Sequence, residues 1–215
     1  MRREDALNLL NKGFIHSVKD PLWGNIPFTD ALKALLDTAA VEKLSRIKQN
    51  GPAYHIYPGA VHTRLSHSIG VYHIGREMLL SISRKSEELP FTAKGMMSFL
   101  SACLLHDIGH FPYAHSLKEL SMMEHEEIAR HLIEEDEELG DAIVKAGADK
   151  AMCALIIDKD APTDDKETGI YRRILSGTLD PDKLDYLSRD AFFAGIPYGR
   201  QDTDYIISSL SYADG

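Results

Sequence analysis

Apolar residues recur every three to four positions along most of the chain, and this spacing constrains the fold more than any other feature. Residues 14–28 are the exception, because their Pro, Gly and β-prone residues predict a small hairpin with Trp23 packed beside it. We therefore expect an all-α helical bundle with a small N-terminal β-hairpin, formed by one domain over residues 1–215. Residues 51–60 are rich in Gly and Pro, which interrupt helices, and therefore predict a loop. Helices are predicted at about 1–12, from Thr29 as N-cap, and at 41–49, 63–84, 92–107, 112–120, 124–136, 138–146, 149–157, 167–176, 182–193 and 202–210.

The charge and the cysteines exclude several classes of protein. A net charge of −9 argues against a nucleic-acid binder, which needs a basic surface to displace counterions. No apolar run approaches the roughly 18 residues of a membrane span, and the first ten residues do not form a secretory signal, so we expect a cytoplasmic protein. Cys103 and Cys153 lie in apolar helical segments and are expected to be reduced core residues.

The first polar group on an inward helix stripe is His67. It shares one face of the predicted 63–84 helix with Val71, Ile74 and Met78, and Arg64 lies one turn earlier on the same stripe. Burying an imidazole or a guanidinium without a partner costs roughly several kcal/mol of free energy. Both side chains must therefore be paired or coordinated. Taken alone, His67 is also explained as a satisfied core histidine.

Two further helices bring polar groups to inward faces. In the predicted 92–107 helix, an inward stripe begins at Met96 and ends at Asp107, and His106 directly precedes Asp107. The 182–193 helix, with Pro181 preorganised for its first turn, has a polar and aromatic face formed by Asp182, Tyr186, Arg189 or Asp190, and Phe193. The His-Asp pair alone could be a helix-end charge pair, and Asp182 alone could complement the helix dipole. Together, two imidazoles and two carboxylates suit a borderline divalent metal with open positions for water and a phosphate oxygen.

The chain resembles the HD superfamily, whose pattern is a His, then a His-Asp pair, then a distant Asp. It more closely resembles the deoxynucleoside triphosphate triphosphohydrolase branch, which includes the dGTPases and the sterile-alpha-motif HD proteins. The resemblance covers about residues 14 to 207. It is carried by DPLWGNI (20–26), YPGAVHTRLSHSIGV (57–71), HDIGHFPYAH (106–115), EHEEIA (124–129) and DPDKLDYLSRD (180–190).

The resemblance implies one divalent metal, either iron, manganese, nickel or zinc, with Mg²⁺ an option alongside the substrate. It also implies a nucleotide substrate, hydrolysis of a dNTP to deoxynucleoside and triphosphate, and a homo-oligomer. Arg64 and Lys183 would bind the phosphates, and Tyr186, Asp190 and Gln49 would line the sugar end. His115 would be the general acid, since protonating a leaving oxygen needs a group with a pKa near 6.5. The implied metal ligands are His67, His106, Asp107 and Asp182, and the implied residues around the scissile phosphate are His110, His115 and His125.

The sequence departs from the branch at three places. A Gln and an Arg commonly follow the residue equivalent to Asp37 in the activator region, but Glu42 and Ser45 stand there, so activation by a nucleotide is not expected. Asn50 replaces a Leu found after Gln49 in deoxy-selective members. The family's catalytic core usually continues past residue 215, so we expect a truncated or minimal form.

Two rival functions remain open at this point. The first is an HD-type nucleoside monophosphatase or phosphodiesterase, although the cyclic-dinucleotide branch is disfavoured because no GYP signature follows the HD pair. The second is a nucleotide-sensing module that binds metal and turns over little.

Overall fold

A computed structural model gives the structure of the protein and describes residues 1–112, 124–199 and 201–212. Within those residues the chain forms α-helices and one two-stranded antiparallel sheet, which confirms the predicted all-α bundle with its hairpin. The strands are β1 (His16–Asp20) and β2 (Gly24–Phe28). The helices are α1 (Arg3–Asn11), α2 (Asp30–Leu36), α3 (Ala39–Glu42), α4 (Arg64–Lys85), α5 (Ala93–Leu105), α6 (His125–Glu135), α7 (Glu137–Lys145), α8 (Lys150–Ile157), α9 (Lys166–Leu175), α10 (Pro181–Ala194) and α11 (Thr203–Ser209).

Helix α4 is the centre of the bundle, and α1, α5, α10 and α11 all pack against it. Its predicted stripe is buried, since Val71, Ile74 and Met78 are at most 1% exposed. Helix α5 is buried on every side from Gly95 to Leu105. A helix that is apolar all round belongs in a core, so α5 lies inside the bundle.

Local signals set where the helices around the site begin and end. Thr63 caps α4 by accepting the amide of Ser66, whose hydroxyl in turn accepts the amide of Thr63, and this reciprocal pair is a capping box. Asp180 caps α10, and Pro181 occupies its first turn as predicted. Gly195 ends α10 at φ +68°, a left-handed conformation that glycine adopts without strain.

The hairpin lies against the helices through its second strand. Ile26 and Phe28 are fully buried, and the Phe28 ring stacks on Tyr72 of α4 at 4.5 Å between centroids. The turn is built by Asp20, whose Oδ1 accepts the amides of Leu22 and Trp23 at 2.9 Å each. This places the turn residues next to α4 and α10.

The predicted helix over 41–49 is wrong in its bounds. The structure has the short helix α3 followed by a 3-10 turn, Lys43–Arg46, and the extended residue Ile47. Val41, Leu44 and Ile47 are buried at a spacing of three, which a 3-10 turn satisfies as well as an α-helix. The predicted 51–60 loop contains a second 3-10 turn, Gly51–His55, and the predicted 112–120 helix falls outside the described residues after Pro112.

Cys103 and Cys153 are free and buried, as predicted. No helix in the described part of the chain is both long and apolar enough to span a lipid bilayer.

Candidate metal centre

Helix α4 presents His67 to the interior one turn after its capped start. The side chain is 1% exposed, and its Nδ1–H donates to Asp185 Oδ2 at 2.8 Å. The ring therefore directs Nε2 away from α10's buried carboxylate. The same turn of α4 carries Arg64, which is 4% exposed.

The end of α5 presents His106 and Asp107. His106 Nδ1–H donates to the carbonyl of Cys103 at 2.9 Å, which again leaves Nε2 to face the interior. Beyond Asp107 the chain turns at Gly109, where an added Cβ would lie 1.9 Å from the carbonyl oxygen of His125. Only glycine allows α6 to start this close to the end of α5.

Helix α10 supplies Asp182 from its first turn. Asp182 Oδ1 lies 3.0 Å from His67 Nε2 and 3.8 Å from His106 Nε2. The two Nε2 atoms are 3.3 Å apart, and His106 Nε2 is 3.5 Å from Asp107 Oδ1. Two imidazoles and two carboxylates from three helices thus face one another, as the sequence predicted.

Three of these side chains form a group that could hold a single divalent metal, and Asp182 adjoins this group through the two imidazoles. His67, His106 and Asp107 each offer a ligand atom within 4.8 Å of the others. Ligands about 2.0–2.2 Å from one metal lie roughly 3 to 3.5 Å apart, which is the spacing between most of these donor atoms. The second nitrogen of each imidazole is already hydrogen-bonded, so both Nε2 atoms are available as ligands.

Electrostatics keep the carboxylates ionised. Burial alone would raise the pKa of Asp182, but the hydrogen bond with His67 and the charges of His106 and His67 together outweigh burial and lower it. Burial would likewise raise the pKa of Asp107, but the charges of His106 and its neighbours hold it well below its usual range. For His67, burial acts to lower the pKa, but the hydrogen bonds to the carboxylates of Asp182 and Asp185 raise it to about 10. Both carboxylates are therefore ionised, the form in which a carboxylate can bind a metal.

The two predicted phosphate ligands are in different environments. Arg64 Nη1 donates to Asp107 Oδ2 at 2.7 Å, while Arg64 Nε is buried without a hydrogen-bond partner among the described residues. Lys183 Nζ donates to Asp180 and to the carbonyl of Gly177. Arg64 thus belongs to the wall of the metal centre, whereas Lys183 is held at the start of its own helix.

Of the predicted catalytic histidines, His110 lies beside Asp107 and His125 lies beside His110. His110 Nδ1 is 3.2 Å from Asp107 Oδ1, and its ring centroid is 4.0 Å from that of His125. Burial lowers the pKa of His110 to about 3, although the charge of Asp107 acts in the opposite direction. His115 lies outside the described residues.

Two of the residues predicted for the sugar end, Gln49 and Asp190, both adjoin His62, since the Gln49 backbone amide donates to the His62 carbonyl at 3.1 Å. Asp190 Oδ1 is 2.8 Å from Nε2 of His62, a buried histidine whose ring stacks on Phe193 at 4.8 Å. Gln49 is part-buried, and its Oε1 has no partner among the described residues. Tyr186 is part-buried on α10, one residue after Asp185.

Sequence reasoning missed a buried charge network behind His67. It placed Asp182, Tyr186 and either Arg189 or Asp190 on the polar face of α10, but Asp185 and Arg189 are the fully buried charges of that helix. Their spacing of four residues is the signal that could have found them, because opposite charges at i and i+4 on one helix can pair. Trp23 packs beside the hairpin as predicted and also donates its Nε1–H to Asp185 Oδ1 at 2.5 Å.

A helical bundle in which three helices supply a His, a His-Asp pair and an Asp defines the HD class of protein. Residues 64–158 match the family model described as HD domain. The chain therefore carries an HD domain over these residues, and it resembles the dNTP triphosphohydrolase branch of the HD-domain superfamily.

Comparisons with known proteins agree with this assignment. The chain is 35% identical over 208 residues to the uncharacterized protein MG461 homolog of Mycoplasma pneumoniae, covering 89% of this chain and 47% of that protein. It is 36% identical to bovine deoxynucleoside triphosphate triphosphohydrolase SAMHD1 over 98 residues, or 46% of this chain and 17% of the relative. The crystal structure of a phosphohydrolase from Bacteroides thetaiotaomicron superposes with a TM-score of 0.77 at 32% identity, covering 93% of this chain and 47% of that one. The chain spans about half the length of the curated relatives it matches over most of its residues.

Proposed function

We propose that this protein is a metal-dependent phosphohydrolase that converts a deoxynucleoside triphosphate and water to a deoxynucleoside and triphosphate. The observation that carries the proposal is the convergence of His67 Nε2, His106 Nε2, Asp107 and Asp182 beside a buried arginine. Such a site can hold a divalent metal and the anionic group that reacts there. The partial similarity to SAMHD1 supports the choice of substrate class.

His67, His106, Asp107 and Asp182 would hold the ion, which we propose is iron, manganese, nickel or zinc, with Mg²⁺ able to enter alongside the nucleotide. A mixed nitrogen and oxygen donor set suits such borderline ions. When bound, the metal polarises a phosphoryl oxygen and lowers the pKa of a water molecule.

Arg64 and Lys183 would bind the polyphosphate. The Nε of Arg64 is buried and has no hydrogen-bond partner among the described residues, so it can donate to a phosphate oxygen while Nη1 keeps its bond to Asp107. The Lys183 ammonium would have to leave Asp180 and the carbonyl of Gly177 to reach the same group. Its half-exposed side chain has the freedom to do so.

The bond that breaks joins the α-phosphorus to the 5′ oxygen of the nucleoside. The oxygen of water bonds to the α-phosphorus, and the 5′ oxygen leaves with the electron pair and takes up a proton. We propose that His115 supplies this proton and that His110 and His125 surround the scissile phosphate. Triphosphate then leaves intact and carries the oxygen that came from water.

Gln49, Tyr186 and Asp190 would line the nucleoside end. The buried Oε1 of Gln49 can accept a hydrogen bond from a sugar hydroxyl, since it has no partner in the described part of the chain.

Phosphorus NMR of the reaction in oxygen-18 water tests the chemistry. Metal-loaded protein incubated with a deoxynucleoside triphosphate is expected to yield a deoxynucleoside and triphosphate labelled at a terminal phosphorus. Lys183→Ala is expected to weaken triphosphate binding while metal content stays native. Protein stripped by a chelator provides the control.

The other products each identify a rival. Deoxynucleoside monophosphate with pyrophosphate would overturn attack at the α-phosphorus. Turnover of monophosphates or cyclic dinucleotides alone would identify a monophosphatase or a phosphodiesterase. A metal-loaded protein that binds nucleotides and hydrolyses none of them would be a sensing module.

A further inference from the structure

A buried polar network connects the hairpin turn to the proposed metal centre. At its middle is Asp185, which is fully buried in α10. Its Oδ2 accepts the Nδ1–H of His67 at 2.8 Å, and its Oδ1 accepts the Nε1–H of Trp23 at 2.5 Å. One carboxylate therefore contacts both a predicted metal ligand and the hairpin.

Arg189 fixes that carboxylate from the other side. Its Nε donates to Asp185 Oδ2 at 2.7 Å and its Nη2 to Oδ1 at 2.9 Å, while Nη1 donates to Asp20 Oδ2 at 2.8 Å. The Arg189 side chain is itself fully buried. With donors from His67, Trp23 and Arg189, the lone pairs of Asp185 are fully used, and the carboxylate has one orientation.

Helices α4 and α10 approach each other closely where His67 contacts Asp185. A Cβ added to Gly70, three residues after His67, would lie 1.9 Å from Asp185 Oδ1 and 2.6 Å from Arg189 Nη2. Glycine at this position leaves room for the ion pair against the backbone of α4.

Burying an arginine with two aspartates is not an effective way to stabilise a bundle. The cost of removing these charges from water can exceed their mutual attraction, and apolar side chains of the same volume pack as well or better. The geometry points instead to His67 as the reason for the charges, because a histidine that binds metal through one nitrogen needs an acceptor on the other.

We propose that Asp185 is a positioning residue for His67, and that Trp23 and Arg189 hold Asp185 in place. The carboxylate keeps the proton of His67 on Nδ1 and sets the ring so that Nε2 faces Asp182 and His106. The hairpin turn thereby contributes to the metal centre without touching it. This inference rests on the metal site of the proposed function.

The test is the affinity of the purified protein for Mn²⁺, measured by the electron paramagnetic resonance signal of the free ion. Asp185→Asn keeps the shape of the side chain and removes its charge. We expect it to weaken Mn²⁺ binding about 10- to 100-fold, the range typical of losing a carboxylate behind a ligating histidine.

Asp20→Asn is the matched control. It removes the other anionic partner of Arg189, while the amide oxygen can still accept the turn amides of Leu22 and Trp23. It does not touch His67. We expect a fall in melting temperature similar to that of Asp185→Asn but an Mn²⁺ affinity close to native.

A second variant keeps the inference testable if Asp185→Asn does not fold. Trp23→Phe retains an aromatic ring beside the hairpin and removes only the hydrogen bond to Asp185. It is expected to weaken Mn²⁺ binding, to a smaller extent than the loss of the carboxylate.

The outcomes separate this inference from the metal site itself. Native Mn²⁺ affinity in both Asp185→Asn and Trp23→Phe would overturn the positioning role and leave the metal site intact. So would a loss of affinity in Asp20→Asn as large as that in Asp185→Asn, because the network would then act only through stability. Failure of the native protein to bind Mn²⁺, or any of the other proposed ions, would overturn the metal site and this inference together.

Discussion

At the scale of single residues, the proposed centre depends on how each polar atom is shared. The two imidazoles use Nδ1 for internal hydrogen bonds and keep Nε2 for the interior. Asp107 is shared between Arg64 on one oxygen and His110 on the other. Removing Asp107 would therefore leave a buried donor of Arg64 unsatisfied, a loss that costs about 1–3 kcal/mol or more.

Metal retention tests the ligand assignment. His67→Ala or Asp182→Ala is expected to abolish stable binding of the ion, because each removes one of four ligands from a site that also organises the ends of three helices. Elemental analysis of the purified variants gives the metal content per chain.

Lys183→Ala is the control for this measurement, since Lys183 neighbours Asp182 in sequence but pairs with Asp180. It is expected to retain metal as the native protein does. Full occupancy in His67→Ala and Asp182→Ala would show that these residues are not ligands.

At the scale of elements, the site exists because α4 approaches both α5 and α10 closely. Gly75 meets Cys103 of α5, whose Sγ would lie 2.7 Å from an added Cβ, and Gly70 meets Asp185 of α10. Two glycines on one helix thus set the distances between the three ligand-bearing elements.

Gly70→Ala is expected to destabilise the protein by about 1–3 kcal/mol or more, because a methyl group there overlaps a carboxylate held in place by several hydrogen bonds. Denaturant unfolding followed by circular dichroism measures the free energy of unfolding.

Gly169→Ala on α9 provides the opposite expectation. The nearest atom to its added Cβ, Arg173 Nη1, is 3.9 Å away, so the substitution is expected to stabilise the helix by about 0.5–1 kcal/mol. Equal effects of the two substitutions would mean that α4 and α10 do not pack as closely as described.

At the scale of the whole molecule, the region that corresponds to the family's activator site carries different side chains. Glu42 and Ser45 are exposed, and the carboxylate of Asp37 is paired with Lys33 on its own helix. The homo-oligomer implied by the family resemblance stays a prediction, as does the single domain over 1–215.

We expect GTP not to activate turnover. An acidic side chain and a serine offer neither the amide nor the cation that would bind a guanine nucleotide at this place, and Glu42 repels its phosphates. Titrating GTP into a dNTP turnover assay measures this. A sigmoidal rise in rate that disappears in Asp37→Ala would contradict the expectation.

Most of the helices, and the polar residues that meet at the candidate metal centre, could be predicted from the sequence. The bounds of α4, α5, α8 and α10 differ from the prediction by at most two residues, because caps, Pro181 and helical spacing are local signals. The role of these polar residues as metal ligands stays a prediction: His67 and Asp107 are visible as polar residues on apolar stripes, and the family resemblance implies the complete set of four. The α-helix predicted over 41–49 was wrong because buried residues at a spacing of three fit both an α-helix and a 3-10 turn.

The charged residues that pair next to His67 could not be predicted from the sequence, because their pairing depends on the tertiary structure. Asp185 meets His67 across 118 residues of sequence and Trp23 across 162, and Arg189 meets Asp20 across 169. Periodicity along α10 does not predict that Asp185 and Arg189 are both fully buried, because an isolated charge is too costly to bury. Their burial becomes favourable only when another part of the chain supplies the opposite charge, and that pairing is a property of the folded molecule.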